Sequence, residues 1–414
     1  MASEFEHISP SSQIRKRLLS HKPAMFGLIV ILFAIFIALA GHTIMPDKTP
    51  DANDGAIQIS KQMPIFETKI LKFRKRLETQ HAGFFESIYN GDETDYIITP
   101  IDTFRIVGDT VFYKVYGKKQ EEEAFSLIYA TKPVFTGHSN LLSDDSLHYN
   151  YQIKGDTVRY VDIQKRIRTT TLFELKEEFQ KENIETRTYW LGTDRLGRDI
   201  LSRLMYGTRI SLMIGTIAVL ISLALGVTLG ALSGYFDGWI DNAIHWFMTV
   251  VWSIPSIMLV IAITIVLQSK GVWVAFVAVG LTMWVEIARI VRGKIKAIKR
   301  KPFIEATHAF GMSHWRIIFR HILPNMLGEI VVVTTSNFAA AILIEAGLSF
   351  LGLGVKPPTP SWGMMVSEGY SVIGTSNSWH LIVFPSLCIS LLVLAFNLLG
   401  NGLRDAYDPN TNHG

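Results

Sequence analysis

The sequence predicts an all-α polytopic membrane protein of six transmembrane helices that carries an extracytoplasmic α+β insert. Of its 414 residues, 49% are hydrophobic and only 18% are charged, whereas a soluble domain has about a quarter charged residues. Six apolar runs approach or exceed the roughly 20 residues that cross about 30 Å of hydrocarbon. We place these predicted spans at Ala24–Met45, Ile210–Gly234, Ile244–Leu267, Val272–Val291, Gly328–Leu351 and Leu381–Leu403.

The first apolar run follows basic residues, as a signal peptide would. We interpret it as a retained transmembrane helix, because it is too long for an ordinary signal peptide and no small-x-small cleavage site follows. The net charge of +4, without a basic stripe interleaved with aromatics, gives no support for a nucleic-acid-binding protein. The single cysteine, Cys388, excludes an intrachain disulfide, and zinc-type spacings are absent from the sequence.

The basic residues predict the orientation, because cytoplasmic loops of membrane proteins carry an excess of Lys and Arg. With six spans, both termini share a side with the loop after the fourth span, and the short loops opposite hold only Lys270 and Lys356. We therefore expect both termini to be cytoplasmic. The basic residues on that side are Arg15, Lys16, Arg17, Lys22, Arg292, Lys294, Lys296, Lys299, Arg300, Lys301, Arg316 and Arg320, against Arg195, Arg198, Arg203 and Arg209 before the second span.

The polar segment between the first two spans, Pro46–Thr188, is patterned rather than low in complexity. Within it, Pro64–Leu77 places apolar residues on one face of a helix and has proline at the first turn. Thr171 and Glu174 have the spacing of a capping box, which predicts a second helix. The segment is therefore expected to contain at least two helices.

A short internal repeat lies between these two predicted helices. Ile106–Tyr113 and Ile153–Tyr160 share the tetrapeptide Gly-Asp-Thr-Val. Gly-Asp between β-rich runs suits a tight hairpin turn, so we predict two similar β-hairpins. A chance match of two common turn signals is the alternative.

The segment Asp194–Tyr206 predicts an amphipathic helix that begins at an Asp194 N-cap. Its apolar residues gather on one side, and we expect it to lie in the outer membrane interface and lead into the second span. Its polar side consists of Arg195, Arg198, Asp199, Ser202 and Arg203.

The most informative stretch lies in the predicted cytoplasmic loop after the fourth span. Glu305–Phe310 predicts a short helix, and Gly311 can take the positive φ that a tight reversal needs. A second helix over Ser313–Arg320 is expected to stop at Pro324, before the fifth span. A short rigid helix of this kind is suited to insert in a groove of a soluble partner and transmit force. Its small apolar tip consists of Ala306, Ala309 and Phe310.

This stretch resembles the EAA loop of ABC importer permeases, whose pattern is Glu-Ala-Ala, three residues, Gly, nine residues and Ile-x-Leu-Pro. Thr307 stands where the second Ala is usual, and His321 stands where Ile is usual. The resemblance implies that Glu305–Phe310 docks on an ATPase subunit. The candidate ATPase-coupling residues are Glu305, Ala306, Thr307, Ala309, Phe310, Gly311, Leu323 and Pro324.

Three further stretches are similar to the C-type permease of the dipeptide/oligopeptide branch. Leu191–Asp199 resembles its signature before the second span, Glu345–Gly363 its outer loop after the fifth, and Leu403–Pro409 its C-terminal end. The resemblance is loose over Arg15–Met45 and close over Tyr189–Pro409. The polar insert is much longer than the usual connection of the family.

The resemblance implies a type I ABC importer permease fold in a bacterial inner membrane. It divides the chain into residues 1–45, the insert 46–188 and a five-helix core 189–414 with a coupling loop at about 292–327. The implied partners are a second homologous permease, two cytoplasmic ATPase subunits and an extracytoplasmic substrate-binding protein, besides membrane lipids. Peptides or similar small solutes are the implied cargo, and no cofactor is expected.

Several other residues in or near the spans are candidates for a structural or functional role. Glu286 and Arg289 are three apart and predict an ion pair that anchors the fourth span near the interface. The glycines after the fifth span favour close packing and flexibility of a gate, and an acid within a span is a functional candidate. The candidate gate or translocation-path residues are Glu345, Phe350, Gly352 and Gly354.

Other classes of function receive less support from the sequence. His308, His314 and His321 are spaced too far apart to predict a metal site. No phosphate-binding loop, nucleophile elbow or zincin motif is present, so the chain is not expected to be an enzyme or to hydrolyse ATP itself. The alternatives are a membrane-anchored sensor or assembly factor that uses the insert as its binding module, and a secondary transporter, whose inverted repeats are not evident.

Overall fold

Two compact units make up the chain. A computed structural model describes residues 10–75, 81, 83–118, 121–137, 150–268, 272–375 and 377–408, so that Lys270 and Pro409 lie outside the described residues. The helical unit comprises Met1–Leu39, Gly207–Ser367 and Ile382–Gly414. The insert unit comprises Ala40–Tyr206 and Glu368–Leu381.

The secondary structure is largely helical, with strands confined to the insert unit. The α-helices are α1 (Pro10–Ser20), α2 (Lys22–Ala40), α3 (Phe84–Asn90), α4 (Leu127–Thr131), α5 (Leu172–Glu178), α6 (Ile200–Tyr235), α7 (Trp239–Trp252), α8 (Ser256–Leu267), α9 (Val272–Lys299), α10 (Pro302–Ala309), α11 (His314–Ile317), α12 (Leu327–Phe350), α13 (Trp362–Tyr370) and α14 (His380–Tyr407). The strands are β1 (Phe66–Arg74), β2 (Tyr96–Val107), β3 (Thr110–Val115), β4 (Glu122–Ser126), β5 (Tyr151–Lys154), β6 (Thr157–Val161), β7 (Ile167–Thr171) and β8 (Ile184–Tyr189).

Among the described residues, five helical segments are long and apolar enough to cross a membrane. The third predicted span is different, because α7 and α8 meet at 92° instead of forming one straight helix. Pro255 lacks an N–H group and its ring disfavours helical geometry at Ile254, so the helix breaks there. The predicted span over Ile244–Leu267 is therefore a bent pair of helices, and the chain reaches six spans when that pair is counted as one. The five segments are Lys22–Thr43, Ile200–Tyr235, Val272–Lys299, His314–Phe350 and His380–Tyr407.

Within the helical unit, a row of small residues brings α6 against α9. Gly226, Gly230 and Gly234 are spaced by four and therefore lie on one face of α6. A Cβ atom at any of the three would lie 2.6–2.8 Å from an atom of α9. Such close backbone contact is how transmembrane helices gain van der Waals contact where no hydrophobic effect operates. The buried α9 residues Ile287, Val291 and Ile295 extend this contact into a core cluster.

The insert unit contains a five-stranded antiparallel sheet of order β4-β3-β2-β1-β8 and a three-stranded sheet of order β5-β6-β7. The predicted helix over Pro64–Leu77 is wrong, because Phe66–Arg74 is a strand paired with β2 on one side and β8 on the other. Apolar residues four apart, such as Phe66 and Ile70, satisfy both a helical period and the period of two of a strand. The β-branched Thr68, which lies between them and is buried, fits the strand.

The sequence repeat is a structural repeat. Each copy is a hairpin with a positive φ at its glycine (Gly108 at 65°, Gly155 at 62°), followed by a third strand and a helix. In each copy the amide of the first helical leucine donates to the carbonyl of the turn aspartate, at 2.7 and 2.8 Å. The second helix, α5, begins with the predicted capping box of Thr171 and Glu174. The two hairpins and the capping box are thus confirmed.

The segment after β8 does not form the predicted helix from Asp194, since α6 begins only at Ile200. Asp194 instead closes a turn, accepting from the amides of Leu196 and Arg198 at 2.8 and 3.0 Å. It also pairs with the guanidinium groups of Arg198 and Arg203, which are 3% and 0% exposed. Burial alone would raise the pKa of Asp194, but these two arginines hold it below its usual value.

Glu368 completes an ionic cluster with these residues, lying 3.0 Å from Arg203 and 3.3 Å from Arg198. Four of the five residues on the polar side of the predicted amphipathic helix are therefore buried, and only Arg195 is exposed. Arg198 and Arg203 are two of the four arginines that opposed the predicted orientation. Because the ionic cluster neutralises them, they count less against that orientation. The ionic cluster, Asp194, Arg198, Arg203 and Glu368, lies wholly within the insert unit.

Candidate functional site

Helix α10, the predicted coupling helix, is anchored on one side and exposed on the other. Its sequence begins with Pro302 at the first turn, where a missing N–H costs nothing. Ile304 is 0% exposed and belongs to the same core cluster as Ile295 of α9 and Ile317 of α11. Thr307 is 7% exposed and donates its hydroxyl to the carbonyl of Ile304 at 2.7 Å. The helix is thus held firmly against the helical unit.

The opposite face of α10 is open. Glu305, Ala306 and Ala309 are all exposed, and Phe310, just beyond the helix, is 80% exposed. A phenylalanine that leaves most of its surface in water is costly for an isolated chain, and a polar-rimmed apolar patch of this kind marks an interaction surface. Of the predicted coupling residues on α10 itself, Thr307 is the one that faces inward.

Gly311 ends α10 with a Schellman motif. Its φ is 67°, in the region that residues with a Cβ atom rarely adopt. The amide of Met312 donates to the carbonyl of Thr307 at 3.2 Å, and that of Gly311 donates to His308 at 2.9 Å, which are the two bonds of this motif. The predicted reversal at Gly311 is confirmed.

The segment after Gly311 does not stop at Pro324. A helical path runs from α11 through a π-turn over Ile318–Ile322 and a 3₁₀ turn over Leu323–Met326 into α12. Pro324 lies in the first turn of the 3₁₀ segment, where its missing N–H is not needed. The predicted proline stop is therefore wrong. Leu323 is half-buried against the core cluster, while Pro324 is exposed.

Tyr235, which the sequence did not single out, ties the loop to α6. Its hydroxyl lies 2.8 Å from Nδ1 of His314 and 3.4 Å from Nε2 of His308, and Lys299 donates to its carbonyl at 2.8 Å. These contacts give the two histidines a structural partner. In the part of the chain that the structure describes, no group of three or more His, Cys, Asp or Glu residues is arranged to hold a metal.

Asp241 forms a second polar anchor that sequence reasoning missed. It lies near the start of α7 and accepts from Arg292 at 2.6 and 3.0 Å and from Lys296 at 2.5 Å, both on α9. Ser233 of α6 donates to it at 2.6 Å. Asp241 therefore joins the three helices α6, α7 and α9 near the predicted coupling loop. The run of Lys and Arg residues from which the orientation was predicted could have suggested that an acidic partner exists. It could not have identified Asp241 as that partner.

The candidate gate residues form a compact turn at the end of α12. Glu345 is 1% exposed and accepts from the Ser349 hydroxyl at 2.7 Å, and that hydroxyl in turn accepts from the Val355 amide at 3.1 Å. Gly352 has a φ of 77°, and a Cβ at Gly354 would lie 2.7 Å from the backbone of Ser349. These residues therefore hold the loop onto the helix. Phe350 is 38% exposed.

Both Glu286 and Arg289 lie within the described residues, and they do not form the predicted ion pair. The Arg289 guanidinium instead lies 3.5 Å from the ring centroid of Trp252, the last residue of α7 before the bend. This cation–π contact fixes the position of α9 beside the break in the third span. The prediction of a pair within one helix failed because it considered no partner from another helix.

The chain is similar to known transport proteins. Residues 226–413 match the family described as binding-protein-dependent transport system inner membrane component, and residues 9–64 match the N-terminal TM domain of oligopeptide transport permease C. A methionine ABC transporter in an inward-facing conformation aligns with a TM-score of 0.41 and 22% identity, over 50% of this chain and 96% of that one.

Curated relatives are closer in sequence. The glutathione transport system permease protein of Pectobacterium atrosepticum is 46% identical over 221 residues, which is 53% of this chain and 72% of the relative. The dipeptide transport system permease protein of Bacillus subtilis is 41% identical over 236 residues, or 57% and 73% of the two chains. These relatives, which are 41–46% identical and matched over more than two thirds of their length, show that the chain belongs to the binding-protein-dependent transport system inner membrane components, the permease subunits of ABC importers.

Proposed function

We propose that this chain is the C-type permease of an importer for peptides or similar small solutes, and that α10 couples it to ATPase subunits. The two relatives described above align with this chain over more than two thirds of their own length, and they are named for glutathione and dipeptide transport. These names support a peptide-like solute. One observation carries the coupling role: Ile304 on one side of α10 is buried, whereas Phe310, just beyond the end of the helix, is exposed.

The exposed face of α10 would dock in a groove of a cytoplasmic ATPase, with Glu305, Ala306, Ala309 and Phe310 in contact. Movement of that groove would be transmitted, because Ile304 packs the helix into the core cluster of the helical unit and Thr307 is buried as well. A rigid lever of this kind suits alternation between inward- and outward-open states.

The remaining partners follow from the same proposal. A second homologous permease would complete the translocation path, and an extracytoplasmic protein would deliver the solute. Both termini would be cytoplasmic, which puts α10 on the ATPase side and the insert unit outside. The chain contains no phosphate-binding loop, so ATP hydrolysis would belong to the partner subunits and not to this chain.

Replacing Gly311 tests the coupling role. Valine at a φ of 67° is strained, so the Gly311→Val variant should reach the membrane at normal levels but lose solute uptake and ATPase co-purification. Gly293→Val is the matched control, because Gly293 lies in the interior of α9 with no positive φ and open space around it. Wild-type uptake by the Gly311 variant would overturn the proposal.

A further inference from the structure

The insert unit exposes two adjacent phenylalanines on the short helix α3. Phe84 and Phe85 are 75% and 84% exposed, and their rings meet edge to face with centroids 5.5 Å apart. Leaving two phenylalanine side chains in water forgoes a large part of the roughly 1.5–3 kcal/mol that burial of each would contribute. The family models match residues 9–64 and 226–413, so this helix lies in the part of the chain that neither covers.

Helix α3 is held against the end of the first transmembrane span. The candidate span runs to Thr43, and His42 lies with its Nδ1 3.4 Å from the Ile88 carbonyl. At Gly41, a Cβ atom would come within 2.6 Å of the same carbonyl oxygen, so the two backbones touch. The amide of Asp92, just after the helix, donates to the Lys48 carbonyl at 3.0 Å. The helix is therefore fixed at both its middle and its end to the chain that leaves the span.

This placement determines the level of the phenylalanines relative to a bilayer. A span of this length ends near the boundary of the hydrocarbon, and the headgroup layer beyond it is on the order of 5–7 Å thick on each side. Phe84 lies one helical turn from Ile88, about 6 Å along the axis. The exposed rings therefore lie within reach of the layer where aromatic side chains and amphipathic helices concentrate.

We propose that Phe84 and Phe85 insert into the outer leaflet of the lipid bilayer, so that α3 is a membrane-interface anchor of the insert unit. The lipid surface is favoured over a protein partner because α3 contacts Gly41 and His42, which lie just before the end of a segment apolar enough to cross a membrane. The exposed Lys48 beside the end of α3 suits the phosphate layer. The acidic Glu86 of the same helix would remain on the water side.

The insert unit offers a matched control for this proposal. Phe173 is also a helical phenylalanine and is 68% exposed, but its helix α5 packs against α4 and β7. Both of these partners belong to the insert unit itself. A depth measurement should therefore separate Phe173 from Phe84 and Phe85 if lipid insertion, and not exposure alone, is the cause.

Spin labels placed at single cysteines measure this depth. The native Cys388 would be replaced by serine, and Phe84→Cys, Phe85→Cys and Phe173→Cys would each be labelled in the full-length chain in nanodiscs of phosphatidylethanolamine and phosphatidylglycerol. We expect the ratio of collisions with oxygen to collisions with a water-soluble nickel chelate to be severalfold higher at positions 84 and 85 than at 173. Circular dichroism melting would confirm that each labelled chain is folded.

Two results would overturn the proposal. Ratios at 84 and 85 equal to that at 173 would mean that the aromatic pair lies in water. Exclusion of both oxygen and the chelate at 84 and 85 would mean that protein covers the pair, which would indicate a protein-docking surface. Because transport is not part of the measurement, its outcome is independent of the proposed import function.

Discussion

Removing the exposed ring of Phe310 should weaken ATPase binding without unfolding the chain. Full burial of a phenylalanine side chain contributes about 1.5–3 kcal/mol, and 80% of Phe310 is available for burial by a partner. The Phe310→Ala variant should therefore lose about 2 kcal/mol of docking free energy, which corresponds to about 30-fold weaker binding. Since the ring makes few contacts within its own chain, stability should change by less than about 0.5 kcal/mol.

The assay is a titration of purified ATPase subunits onto the tagged chain in nanodiscs, read out by biolayer interferometry. The Phe173→Ala variant, which removes an exposed phenylalanine of the insert unit, serves as the control and should bind like the wild type. Equal affinity of the Phe310→Ala variant and the wild type would refute the docking role of the ring. A comparable loss in the control would mean that any exposed aromatic affects the measurement.

Three further predictions concern the gate turn and the insert unit. Gly354→Ala should lower uptake and cost about 1–3 kcal/mol of stability, as measured by thermal melting in detergent, because its methyl group would overlap the backbone of Ser349; unchanged melting and uptake would contradict the packing role. Glu368→Gln should cost about 3 kcal/mol, because it leaves the buried arginines of the ionic cluster short of an anion, whereas Glu122→Gln breaks an exposed pair and should leave the melting temperature unchanged. Burial raises the pKa of Asp47 from 3.8 to about 6. The wild type should therefore lose stability relative to Asp47→Asn as pH rises from about 4 to about 6. A constant difference in stability across that range would show that Asp47 does not titrate there.

The local signals in this sequence were sufficient for several elements of the insert unit and of the candidate site. The reversal at Gly311, the helix before it and the capping box of Thr171 with Glu174 each depend on residues within one or two turns of each other. Glycine is the residue that reaches a φ of 67° without strain, so its position alone indicated the turn. The two hairpins were predictable for the same reason, from the turn residues at Gly108 and Gly155.

Charged residues were misjudged where their partners lie far away in sequence. Arg203 looked like a solvent-facing residue of an amphipathic helix, yet it is fully buried beside Glu368, which is 165 positions away. Asp241 gave no sign that it would accept from Arg292 and Lys296 of α9. A count of charges along the chain treats each one as solvated, and only the folded structure shows which ones neutralise each other.

The sequence by itself determined the apolar runs, and with them the membrane-spanning character of the chain, because burial in hydrocarbon depends on composition over about 20 residues. Only the tertiary structure decided that Phe66–Arg74 is a strand, since β2 and β8 on either side supply its hydrogen bonds. It also decided that α3 lies against Gly41 and His42 at the end of the first span, which gives the exposed Phe84 and Phe85 their proposed role. Such contacts join residues that are distant in the chain, and neither periodicity nor turn chemistry, which act over short distances, encodes them.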